Sequence, residues 1–168
     1  MNKTIIIING VGGCGKDTLI DLLKEQYKVK NISSITPIKE IAKHAGWNGE
    51  KTNKARKFLS DLKKLLTDFN ELPQTYLLNE QEKFLLSDED IMFVHIREPH
   101  EISKFVSLTK CKTKTLLILP REELKNKDYG NESDNNVYNY NYDLYFNSDK
   151  PLNEIAPIWL EFIREAHE

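Results

Sequence analysis

Four consecutive isoleucines, Ile5 to Ile8, stand near the amino end of the chain with no polar residue between them. Such a run within residues 3 to 9 predicts a central parallel strand covered on both faces, since a half-exposed strand would alternate apolar and polar positions. A glycine loop follows at once, and beyond Gly15 the residues Leu19, Ile20, Leu22, Leu23 and Tyr27 recur at helical spacing. The order is therefore strand, glycine loop, helix. Residues 28 to 35 read as a second, weaker strand. Pro37 then sits where a first-turn proline opens a helix through Ile41 to Ala45, and Gly46 ends it.

The strongest amphipathic pattern comes next. Ala55, Phe58, Leu59, Leu62, Leu65, Leu66 and Phe69 share one face of a helix from about 52 to 69, which predicts that this face is buried. On the opposite face Arg56, Ser60, Lys63 and Thr67 line up as a polar stripe with two cations, suited to a bound anion. Pro73 starts a further helix to about Leu86, and Ile91 to Ile96 form a buried strand leading into Arg97. Ser103 to Ser107 belong to the helix behind it.

Thr115 to Leu119 are a third apolar strand, stopped by Pro120, and the polar, Asn-rich stretch from 121 to 141 lacks a period and reads as a mobile loop. Tyr142 to Phe146 form a last strand, with Asn147 and Ser148 as a turn. Leu152, Ile155, Trp159, Phe162 and Ile163 mark a closing helix that Pro157 is expected to kink or restart. No repeat or linker divides the chain, so residues 1–168 read as one domain. The alternation of strands and helices predicts an α/β layered fold with a mainly parallel sheet.

Composition narrows the function. With 39% apolar and 30% charged residues in 168, the chain has the make-up of a soluble globular domain. A formal charge of −2 supplies no global basic footprint, so a long nucleic acid is not expected as a partner, whereas a single nucleotide is allowed. No apolar run approaches the ~20 residues of a membrane span, and no signal-peptide pattern is present, so a cytoplasmic protein without a membrane partner is expected. Two cysteines and four histidines offer neither a disulfide framework nor zinc-ligand spacing.

The chemistry concentrates in Gly10-Val11-Gly12-Gly13-Cys14-Gly15-Lys16-Asp17-Thr18, which fits G-x-x-x-x-G-K with Asp in the usual Ser/Thr place. Gly10, Gly12, Gly13 and Gly15 let successive backbone N–H groups curl around phosphate oxygens, and Lys16 reaches the β and γ phosphates of ATP. Cys14 is read as a small loop side chain at the phosphates, without a nucleophilic role. Asp17 has two readings, a contact to Mg²⁺ directly or through water, or an acidic residue that suits the first turn of a helix. Thr18 is read as a phosphate contact.

The GKDT ending of this loop resembles the deoxynucleoside monophosphate kinases of bacteriophages, within the wider nucleoside monophosphate kinase group. Further blocks follow in the same order. Pro37-Ile38-Lys39-Glu40, Gly46-Trp47-Asn48-Gly49 and Arg56-Lys57-Phe58-Leu59 look like the acceptor-binding helices. Arg97-Glu98-Pro99-His100-Glu101 is similar to the family's Arg turn, and Asn131-Glu132-Ser133 with Tyr142 to Ser148 look like the end of its lid and its adenine-side loop.

The resemblance implies a three-layer P-loop fold with a five-stranded, mainly parallel sheet, acceptor-binding helices over about 36–88 and a short lid over about 121–141. It implies ATP and Mg²⁺, with transfer of a phosphoryl group to a deoxynucleoside 5′-monophosphate; a P-loop kinase of another small phosphorylated metabolite and a non-catalytic nucleotide-binding regulator are the alternatives the residues leave open. Arg56 and Lys63, and more weakly Lys39, would hold the acceptor phosphate, Arg97 would stabilise charge near the transferring group, and Asn147 and Ser148 would border the adenine. Arg121 would open the lid, either as an internal arginine finger or as an ordinary loop cation. The chain departs from the family at His95, where an Asp usually stands two places before the Arg. The acceptor base and the oligomeric state, homodimer included, are left open by the sequence.

Overall fold

The computed structural model describes residues 2–122, 125 and 135–168. Strand β1 (Thr4–Asn9) is buried along its whole length, with Ile5 to Ile8 showing no exposure on either face. It is followed by α1 (Lys16–Asp21), β2 (Val29–Ser33), α2 (Thr36–His44), α3 (Asn53–Asn70), α4 (Leu72–Leu86), β3 (Ile91–His95), α5 (Pro99–Leu108), β4 (Lys112–Leu119), β5 (Leu144–Asn147) and α6 (Leu152–His167). The strands form one sheet in the order β2-β3-β1-β4-β5, and every pairing in it is parallel. The expected three-layer α/β fold with five strands is thus observed, and the sheet is wholly parallel.

Parallel pairing requires crossover connections, and the helices in them bury both faces of β1, β3 and β4. On one side the indole of Trp159 in α6 donates a hydrogen bond of 2.7 Å to the Leu19 carbonyl of α1, locking the last helix onto the first. Phe146 and Phe162 pack around the same indole. Elsewhere Gln81 of α4, fully buried, accepts from the Lys110 N–H and donates to the Leu108 carbonyl, tying α4 to the end of α5. Among the described residues no helix is long and apolar enough to cross a membrane.

Several expectations need correction. The helix after the glycine loop ends at Asp21 instead of running to Tyr27. Leu23, Lys24 and Gln26 donate to carbonyls three residues back, so the segment tightens into turns while Leu23 stays buried. Pro157 neither stops nor restarts α6, which continues from Leu152 to His167. Placed near the start of the helix, the proline removes one early hydrogen bond and leaves the later turns intact. Asn147 is the last residue of β5, not part of a turn after it.

The apolar face of α3 is the largest departure. Ala55 is its one fully buried residue, while Phe58, Leu65 and Phe69 are 38%, 64% and 79% exposed. The helix packs on α2 and α4, outside the sheet, so only Leu59, Leu62 and Leu66 find partial cover. The end of α2 matches expectation: Gly46 is left-handed at φ +101°, and the Trp47 N–H reaches back to the Ala42 carbonyl at 2.9 Å.

Candidate active site

The carboxyl ends of β1 and β3 lie side by side, with Ile8 opposite His95, and β4 flanks β1 on the other edge. In an open parallel sheet this rim is where ligands bind, and it carries the glycine loop, the His95–Arg97 turn and the Pro120 bend. Asn9, 1% exposed, joins them. Its Oδ1 accepts from the Gly10 N–H at 2.9 Å, and its Nδ2 donates to the Arg97 carbonyl at 3.0 Å and to the Tyr142 hydroxyl at 2.8 Å. Tyr142 donates in turn to the Val137 carbonyl at 2.7 Å. Burial pushes its phenol up to about 12, with the Asn9 bond opposing, so it stays a neutral brace.

The loop is shaped by close approach. A Cβ on Gly10 would stand 2.7 Å from Cys14 Sγ and 3.0 Å from the Ile118 carbonyl, so only glycine lets β1 turn this tightly beside β4. Gly13 sits at φ +82° with nothing within 4 Å of where a side chain would be, which leaves the mouth of the loop open on that side. Lys16 folds back over the loop, its Nζ 2.7 Å from the Gly10 carbonyl and 3.3 Å from that of Val11. Gly12, Cys14 and Gly15 complete the cradle, with Cys14 buried and Gly15 left-handed at the start of α1. A loop of this form fits a triphosphate, whose oxygens its amides and Lys16 would take.

Asp17 and Thr18 follow on the exposed side of α1, the Asp17 carboxylate being 81% exposed. These oxygens fit Mg²⁺, which keeps several waters and phosphate oxygens and needs few protein ligands. The Asp17 carboxylate is steered by two residues. Asn31 of β2 donates to its Oδ1 at 3.2 Å, and His95 donates from Nε2 to Asn31 Oδ1 at 2.8 Å while lying 3.6 Å from Asp17 Oδ1. His95 is held down to about 4, first by burial and then by Lys16, Arg97 and Lys39, with Asp17 opposing. It is thus a neutral, hydrogen-bonded imidazole at the end of β3.

Lys39 of α2 is brought to the same rim. Its ammonium is depressed below the ordinary lysine value, first by partial loss of water and next by Arg97 and Lys51, with Asp17 opposing. Arg97 and Asp17 therefore act on Lys39, and all three act with Lys16 on His95, although they come from α1, α2 and the turn after β3. Arg56 lies exposed on α3. Lys63 is held differently from expectation: its Nζ is 2.8 Å from Glu101 Oε2 of α5, and both side chains are largely buried.

On the far edge a cleft of about 340 Å³ is lined by Leu119, Pro120, Lys125, Tyr138, Asn147 and Asp149. Asn147 accepts from the Asp149 N–H, and the buried Ser148 hydroxyl donates to the Leu119 carbonyl at 3.2 Å. Arg121 is exposed next to Pro120. The expected lid over 121–141, with its Asn131-Glu132-Ser133 end, lies largely outside the described residues. Sequence patterns single out neither Asn9 nor Asn31 as a site residue, and give Tyr142 no role beyond opening the Tyr142 to Ser148 block. Each acts through a partner far along the chain, and only the Asn at the end of β1 stood next to a visible motif.

No family model matches the sequence, and no curated protein matches it. Solved structures do match in fold. The shikimate kinase of Aquifex aeolicus superposes with a TM-score of 0.56 at 15% identity, covering 95% of this chain and 96% of that one. The shikimate kinase of Bacteroides thetaiotaomicron gives 0.51 at 18% identity, with 97% of each chain covered. At such identities the likeness establishes a shared fold.

Proposed function

We propose that the chain transfers the γ-phosphoryl group of ATP to the 5′-phosphate of a deoxynucleoside monophosphate. An oxygen of the acceptor phosphate forms the new bond to the γ-phosphorus, the bond to the β–γ bridging oxygen breaks, and ADP leaves with the deoxynucleoside diphosphate. The observation that supports this reading is that Lys16, Lys39 and Arg97 all bear on His95 at the carboxyl end of β3. Lys39, depressed first by burial and next by Arg97, belongs to a cation-rich rim that suits an acceptor that is itself highly charged, and a phosphate monoester is.

The roles follow from position. The glycine loop and Lys16 hold the triphosphate, Arg97 and Lys39 offset repulsion between the two nucleotides, and Arg56 contacts the acceptor phosphate from α3. Lys63 positions α3 through Glu101 and reaches the acceptor once that pair rearranges. Arg121 closes over the phosphates from the edge of β4, and the cleft at Asn147 and Ser148 takes the adenine. Asp17 and Thr18 would hold Mg²⁺, which when bound neutralises phosphate charge. No side-chain base is required, because the acceptor phosphate is already ionised at neutral pH.

The choice of a deoxynucleotide acceptor rests on the GKDT loop and the ordered blocks that resemble the phage enzymes, and a cytoplasmic location accords with it. Purified protein with Mg-ATP, offered each of the four deoxynucleoside monophosphates and shikimate, is expected to form ADP with at least one of the four. ADP formation with shikimate alone, or with none of them, rejects the acceptor assignment.

A further inference from the structure

Asn31 stands at an exposed position in the middle of β2, an edge strand of the sheet. Asparagine is a poor strand former, so strand propensity does not account for it. The register does. Asn31 pairs with Phe93 of β3, so its side chain leaves the sheet on the same face as that of His95, two residues further along. The His95 side chain is largely covered there, and the carboxylate of Asp17, in the first turn of α1, reaches both residues.

These three polar groups form a directed chain. Asn31 donates from Nδ2 to Asp17 Oδ1 at 3.2 Å, and its own Oδ1 lies 2.8 Å from His95 Nε2. A carboxylate only accepts, so it draws the N–H side of the amide toward itself. The amide oxygen is left facing the imidazole, whose Nε2 must then carry the hydrogen. His95 Nε2 is 3.6 Å from the same carboxylate oxygen, beyond hydrogen-bond reach, so the amide is the link between them. Oδ1 is thereby fixed while the Asp17 side chain as a whole remains 81% exposed, with lone pairs open to a hydrated cation.

We infer that Asn31 and His95 are positioning residues that hold the Asp17 carboxylate in the orientation magnesium requires. The inference rests on the reading of Asp17 as a magnesium contact and adds how that contact is built; it does not depend on which acceptor is used. Mg²⁺ demands near-octahedral geometry and takes few protein groups beside phosphate oxygens, so a single carboxylate has to be well aimed. An exposed Asp side chain left to itself samples several rotamers and loses that freedom on binding. Asn31 removes the choice beforehand. His95 acts through Asn31, because without its N–H the amide could turn over and set its oxygen against the carboxylate.

Calorimetric titration of the whole chain with ATP, in excess magnesium and again in chelator, tests this without reference to turnover. Magnesium is expected to tighten ATP binding by the wild type. Asn31→Ala should lose about 10-fold of the affinity in magnesium while staying within about two-fold of the wild type in chelator. His95→Leu should shift binding in the same direction, and His95→Gln, which still offers an N–H, should keep most of the magnesium effect. In an Asp17→Asn background Asn31→Ala should change nothing further, because the carboxylate it aims is gone. If Asn31→Ala weakens binding equally in magnesium and chelator, or still costs affinity beside Asp17→Asn, or leaves intact a magnesium effect that Asp17→Asn abolishes, the positioning role is overturned and the Asp17 contact stands. A wild type indifferent to magnesium, or an Asp17→Asn variant that keeps the full magnesium effect, overturns the Asp17 contact and the inference with it.

Discussion

The ammonium of Lys63 lies 2.8 Å from the Glu101 carboxylate, joining α3 to the start of α5 with both side chains less than a fifth exposed. With the more exposed Glu71–Lys104 pair it ties the outlying helix to α5, while α3 packs mainly on α2 and α4. Lys63→Ala and Glu101→Ala are each expected to lower stability by about 1–3 kcal/mol, since each leaves a partly buried charge without its partner. The double variant should lose less than the sum of the two, read as a coupling energy in urea unfolding.

Gly10 is constrained from two sides, by Cys14 Sγ and by the backbone carbonyl of Ile118. Gly10→Ala is expected to cost about 1–3 kcal/mol in thermal or urea unfolding and to impair ATP binding, because the added methyl must push β4 or open the loop. Adding Cys14→Ala relieves the sulfur contact and leaves the one to the Ile118 carbonyl, so rescue should be partial.

The His95 imidazole is held down to about 4, against an ordinary 6.5, chiefly by burial. Between these values the unfolded chain binds a proton that the folded chain refuses, so stability falls as pH drops from about 6.5 towards 4 and is fully present above that window. The contribution is on the order of 3 kcal/mol. Urea unfolding in chelator from pH 4.5 to 7.5 should show this decline in the wild type and a flatter profile in His95→Gln. Equal slopes in the two proteins would contradict the assignment.

Arg97 and Arg56 are expected to separate kinetically. In the proposed reaction Arg97, at the rim after β3, would act on charge that develops during transfer, so Arg97→Ala should lower kcat by about 10²–10³. Arg56, exposed on α3, would contribute to acceptor binding in the same reaction, so Arg56→Ala should raise the acceptor KM with a smaller effect on kcat. Initial rates against acceptor concentration distinguish the two.

Much of this was legible because it is local. Four isoleucines, a glycine loop and a periodic segment are contiguous, and the same holds for the run from Ile91 into Arg97, so strand, loop and turn could be read in order. What escaped is non-local. Asn9 meets Tyr142 across 133 residues and Lys63 meets Glu101 across 38, and no window of sequence contains both members. Asn31 sits on a weak edge strand, where only the structure shows its amide between His95 and Asp17. The apolar pattern of α3 correctly located a helix, yet amphipathicity does not state what covers the apolar face, and here the protein itself covers only part of it.

Calorimetric titration of the purified protein with ATP in the presence of magnesium tests the central claim most directly. The account predicts saturable heat for one site per chain, and its loss by about 100-fold or more in affinity in Lys16→Ala with the fold retained. No heat with the wild type, or equal binding by the variant, would contradict it.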